Sequence, residues 1–163
     1  MKIRKQTLWR IPAFGIVAGF VWFWLNVSIL GRLTIVQLPD GAYTADPLRS
    51  LLLYAFVLAV TVAVAALWIT PKMTRREVAA SSAILVAFYL AGFGIQVILQ
   101  RAGGSMLAIS IGEAYEWTHL IPQLLYLLAG TEGPWLRVGS LLECFAPLLF
   151  IPFGKKELPG YRA

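Results

Sequence analysis

Four stretches of this chain, residues 11–30, 50–70, 78–99 and 135–153, run with few or no charges. About 20 apolar residues suffice for an α-helix to cross roughly 30 Å of hydrocarbon. A chain in hydrocarbon must satisfy its own backbone hydrogen bonds, so each stretch is expected to be a helix. Composition agrees: 59% of the 163 residues are apolar and 13% are charged, against about one quarter charged in a soluble domain. A soluble globule is excluded. The spacing predicts an all-α integral membrane protein, a single membrane domain over residues 1–163 with four transmembrane helices. The first apolar stretch follows Lys2, Arg4, Lys5 and Arg10 as a secretory signal would. Its apolar core is too long for one and no small-residue cleavage site follows, so it reads as an uncleaved anchor.

The net charge of +6 does not form one patch, which argues against nucleic acid as a partner and for a role in topology. With the N-terminus inside, the inner segments collect Lys2, Arg4, Lys5, Arg10, Lys72, Arg75, Arg76, Lys155, Lys156 and Arg162. Arg32, Arg49, Arg101 and Arg137 are left outside, ten basic residues against four. The positive-inside rule therefore predicts a multi-pass protein of the cytoplasmic membrane with both termini cytoplasmic.

Outside the membrane, residues 31–49 form a loop in which Leu33 to Leu38 is followed by Pro39-Asp40-Gly41 and then Ala42-Tyr43-Thr44. Proline presets a turn dihedral and glycine accepts positive φ, so a short β-hairpin is expected. Residues 101–134 are expected to form an outer lid, re-entrant or interfacial. If the apolar piece within it spanned, Lys155 and Lys156 would be exported, and Glu113, Glu116 and His119 would sit near mid-membrane at considerable cost.

Small residues suggest how the helices meet. Ala55, Ala59 and Ala63 recur every four residues on the second stretch, as do Ala79, Ala83, Ala87 and Ala91 on the third. Without a hydrophobic driving force in lipid, close approach along such stripes supplies association energy. A tight hairpin of these two helices is expected. Gly15 and Gly19 form a GxxxG pair that seats either a helix of the same chain or a second copy.

Glu143 falls near the middle of the fourth stretch, four residues before Pro147. Proline has no N–H, so the Glu143 carbonyl loses its helical partner and a kink is expected there. An ionisable group at that depth marks a functional site by default. It serves equally as a neutral strut hydrogen-bonded to a neighbouring helix, with Thr61 and Tyr89 as candidate partners at similar depth. Asn26, Ser28, Tyr54, Gln96 and Gln100 all fall in the outer half of the membrane. They suggest an outward-facing cavity rather than a continuous pore, unless they only satisfy helix ends and interfacial water.

Glu113, Glu116 and His119 are spaced three apart, with Glu116 and His119 as one copy of the Glu-x-x-His pair that di-metal carboxylate sites use twice. A single copy and a single histidine point instead to a solvated acidic face, anchored at headgroup depth by Tyr115 and Trp117. No metal and no cofactor is expected. Cys144 stands alone in an apolar run, and no nucleophile–base pair or phosphate-binding glycine loop is evident. Two functions lead, ahead of an intramembrane enzyme, which if metal-dependent would need Glu116 and His119 to meet a third ligand. The first is a non-enzymatic module that docks a partner membrane protein, or binds lipid or an amphipathic ligand, through its outer face. The second is a small transporter or channel subunit, oligomeric, in which Glu143 binds a proton or cation with Tyr89, Thr61, Asn26 and Gln96 nearby.

Overall fold

Hydropathy and length resolve into three helices able to cross a membrane, at Lys5–Thr34, Pro47–Lys72 and Arg75–Leu99. The computed structural model describes residues 4–101, 103, 110, 119 and 134–156. Helix α1 (Arg10–Leu25) continues through a π-helical turn at Asn26–Leu30 and a last turn at Gly31–Thr34. Helix α2 (Pro47–Val64) continues likewise through a π turn at Ala65–Ile69 and a 3-10 turn at Thr70–Lys72. Helix α3 covers Arg75–Arg101.

The starts of α2 and α3 are written in the sequence. Asp46 accepts the Arg49 N–H at 2.9 Å while Pro47 fills the first turn, where a missing N–H leaves no bond unmade. Thr74 and Glu77 form a reciprocal capping box. The Glu77 carboxylate accepts the Thr74 N–H at 2.9 Å and the Thr74 hydroxyl accepts the Glu77 N–H at 3.3 Å. Between α1 and α2, β1 (Ile35–Gln37) pairs antiparallel with β2 (Tyr43–Ala45), Val36 opposite Thr44. The turn uses Gly41 at φ 85° and an Asp40 carboxylate that accepts the Ala42 N–H at 3.0 Å. The expected hairpin is present.

The expected fourth helix is broken rather than kinked. Helix α4 (Pro134–Glu143) stops at Glu143, and after a turn at Cys144 and Phe145 the chain proceeds as a 3-10 helix, Ala146–Phe153. The change of ladder precedes Pro147: Cys144 N–H bonds to Leu141 O at 3.2 Å and Phe145 N–H to Leu142 O at 3.0 Å. Pro147 and Pro152 both lack the donor an α-helix needs, and the tighter coil accommodates them.

Packing also differs from the alanine hairpin. Ala55, Ala59 and Ala63 of α2 are exposed, as are Ala83, Ala87 and Ala91 of α3. Helix α3 instead turns its opposite face inward, burying Val78, Ser81, Ser82, Leu85 and Tyr89 against α1 and the 3-10 helix. Two physical reasons favour this face. Gly15 and Gly19 are buried on α1, and a Cβ at Gly15 would overlap Leu85 Cδ2, so glycine allows a closer approach than alanine. Hydroxyls do the rest. Ser81 donates to Leu8 O at 2.6 Å and accepts the Ile11 N–H at 3.3 Å, satisfying a first-turn donor of α1. Ser82 donates to Pro147 O at 2.9 Å, tying α3 to the 3-10 helix. Helix α2 joins α1 through Trp22, whose Nε1 donates to Thr61 Oγ1 at 2.7 Å.

Candidate functional site

Three strands of chain converge at one end of the bundle, here called the basic end. The Arg4 guanidinium donates to both oxygens of Glu77, at 2.7 and 2.9 Å, and to Lys72 O at 2.7 Å. Glu77 is 3% exposed, and Arg4 together with the capping box holds its carboxylate. The C-terminal strap completes the join: Arg75 N–H bonds to Lys155 O at 2.8 Å and Lys155 N–H to Met73 O at 3.0 Å. This close passage requires glycine, since a Cβ at Gly154 would come within 2.8 Å of Arg75 Cα. The chain start, the turn at residues 72–76 and the C-terminal strap therefore share one end. Thr74-Arg75-Arg76-Glu77 was the available sequence signal for this cluster, a capping-box pattern before an apolar run.

A second cluster lies halfway along α3. Tyr89 is fully buried and the His119 ring stacks on it, with centroids 4.5 Å apart and planes inclined by 28°. The sequence places His119 on a solvated outer face; the ring is instead 6% exposed, packed within the apolar stretch of α3. An imidazole is an aromatic ring as well as a base, and stacking on tyrosine lets it be buried at much lower cost than a carboxylate. Glu113 and Glu116 lie outside the described residues, as does most of the expected lid. Glu143 is half-buried at the end of α4. The 3-10 helix lies antiparallel to α3, with Gly154 beside Arg75 and Pro147 beside Ser82. At about 2.0 Å per residue against 1.5 Å, that register carries Glu143 to about the level of Tyr89.

The other expected site residues separate. Thr61 donates its hydroxyl to Val57 O at 2.8 Å and accepts from Trp22, so its proton is committed within α2 and not to Glu143. Asn26 opens the π turn and accepts from the Tyr54 hydroxyl at 3.5 Å, while Gln96 is half-buried on α3. Asn26 and Tyr54 thus meet near the hairpin end, where an outward cavity is expected. One cavity lined by described residues lies at the other end. It has a volume of about 500 Å³ and opens between the start of α1 and the π turn that follows α2. Among the described residues no three His, Cys, Asp or Glu side chains converge as a metal site. Comparison with protein-family models, with curated proteins and with solved structures found no match.

Proposed function

We propose that this chain is a non-enzymatic membrane module that docks a transmembrane helix of a partner protein along the outward alanine stripes of α2 and α3. The observation that carries this reading is the exposure of Ala55, Ala59 and Ala63 and of Ala83, Ala87 and Ala91. Small residues at four-residue spacing are the surface on which helices in lipid approach closely, and this chain does not use them for its own packing. In this reading the protein lies in the cytoplasmic membrane with the basic end inside, and residues 134–153 cross as a broken fourth span. Support for that orientation comes from Arg4, the turn at residues 72–76 and Lys155 sharing one end. The test is chemical cross-linking in native membranes followed by purification, with Ala59→Phe and Ala87→Phe beside the original chain. A partner protein lost from both variants supports the reading. Unchanged cross-links overturn it, and cross-links between differently tagged copies identify the partner as a second copy.

A second reading has its own observation. Glu143 is the last residue of α4, near the level of Tyr89 and His119, and where such a broken helix crosses a membrane it commonly supplies an ion site. In this reading Glu143 carries a proton or cation. Glu143→Gln then abolishes pH-dependent flux in proteoliposomes while leaving the melting temperature unchanged.

A further inference from the structure

The cavity at the basic end is a groove whose shape and charge follow the order of a phospholipid. Its mouth holds two cations, Arg10 at the first residue of α1 and Lys72 at the end of the 3-10 turn. Both side chains are exposed, and neither makes a hydrogen bond or ion pair among the described residues. Their backbones are nevertheless held: the Lys72 carbonyl accepts from Arg4, and the first turn of α1 is bonded to Ser81. Below the mouth the lining is apolar. Ala13 and Val17 form one wall, following Arg10 on the same face of α1, and Phe14 and Ile69 pack onto the buried core as the floor. Phe14 is fixed there by an edge-on contact with the buried Phe150, centroids 6.0 Å apart. Trp68, 77% exposed, stands one turn deeper than Lys72, at the level where indoles sit in membrane interfaces. From Arg10 to Val17 the wall is about 10 Å long, enough for the upper half of an acyl chain.

We infer that this groove is a specific site for an anionic phospholipid, whose phosphate meets Arg10 and Lys72 and whose acyl chain lies along Ala13, Phe14 and Val17 beneath Trp68. Charge complementarity selects the headgroup. The groove has two uncompensated cations and no carboxylate in its lining, and the acid at this end, Glu77, is committed to Arg4 and Thr74. A free phosphate would leave the apolar floor wet, and a zwitterionic lipid would set its own ammonium against the two cations. The site is independent of the alanine faces.

The test is native mass spectrometry of the full chain in detergent, titrated with phosphatidylglycerol or with phosphatidylcholine of the same acyl chains. The original chain is expected to bind phosphatidylglycerol more tightly. Arg10→Gln with Lys72→Gln is expected to weaken that binding about thirtyfold, taking the usual contribution of two basic residues at an anionic surface. Lys5→Gln with Lys156→Gln removes the same charge from the same end outside the groove, and is expected to change binding less than about threefold. Ala13→Trp, which fills the groove without altering charge, should also abolish the preference. Melting temperatures establish that each variant is folded. Equal binding of the two lipids by the original chain would overturn the assignment. So would equal losses in the two charge-removed variants, or full retention of binding by Ala13→Trp.

Discussion

The two faces of α3 differ in what they offer a neighbour. One presents Ser81, Ser82, Leu85 and Tyr89, and it is against this face that α1 and the 3-10 helix are buried. The other presents Ala83, Ala87 and Ala91, and it is exposed. Both faces are smooth enough for close packing. Only the first also supplies hydroxyls for the carbonyls of Leu8 and Pro147 and a leucine that fills the space opened by Gly15. In lipid, where apolar area gives no preference between faces, hydrogen bonds and fit decide which one is used.

Substitutions on the two faces should break or sharpen this contrast. The largest effect is expected at Gly15: Gly15→Leu drives a side chain into Leu85 and should cost about 3 kcal/mol, read as a large fall in melting temperature in detergent. Gly94→Ala provides the opposite sign, because a Cβ there meets nothing within 4 Å. It should leave stability unchanged or raise it by about 0.5–1 kcal/mol through helix propensity. Next comes the ion pair that fixes the start of the same face. Arg4→Ala leaves the buried Glu77 without its guanidinium and should cost about 2–3 kcal/mol, whereas adding Glu77→Gln to it should recover part of the loss. A double-mutant cycle on chemical denaturation measures this coupling.

Smaller still is the loss at Ser81. Ser81→Ala leaves Leu8 O and the Ile11 N–H without their hydroxyl, and should cost about 1–2 kcal/mol in the same assay. The smallest effect is on the alanine side. Ala59→Leu and Ala87→Leu point outward and should change the stability of the isolated chain by less than about 0.5 kcal/mol. A loss comparable to that at Gly15 would mean that the stripes are buried after all.

These contrasts mark where the sequence is informative. Span length alone locates α1, α2 and α3, and Pro39-Asp40-Gly41 announces the hairpin because only certain residues adopt the turn's dihedrals. The GxxxG pair of α1 does lie at a helix contact within the chain. Helix faces are harder to read, because these helices are apolar all round and carry no polar stripe to orient them. The choice between the alanine face and the serine face of α3 rests on carbonyls of Leu8 and Pro147, residues remote in sequence. The burial of His119 is illegible for the same reason: its ring stacks on Tyr89, thirty positions away in sequence. Thr61 matches Glu143 in depth along the sequence, yet its hydroxyl is engaged by Trp22 and Val57. At Glu143 proline chemistry indicates an irregularity but does not distinguish a kink from a change of helix type.

The most direct test of the arrangement is oxidative cross-linking within single chains, in a Cys144→Ser background. Ile11→Cys with Ser81→Cys joins two buried positions of α1 and α3 whose helices meet where the Ile11 N–H bonds to the Ser81 hydroxyl, while Ala59→Cys with Ala87→Cys joins the two alanine stripes. The account predicts rapid intrachain disulfide formation by the first pair and none by the second. A second pair that closes within one chain as fast as the first would contradict it.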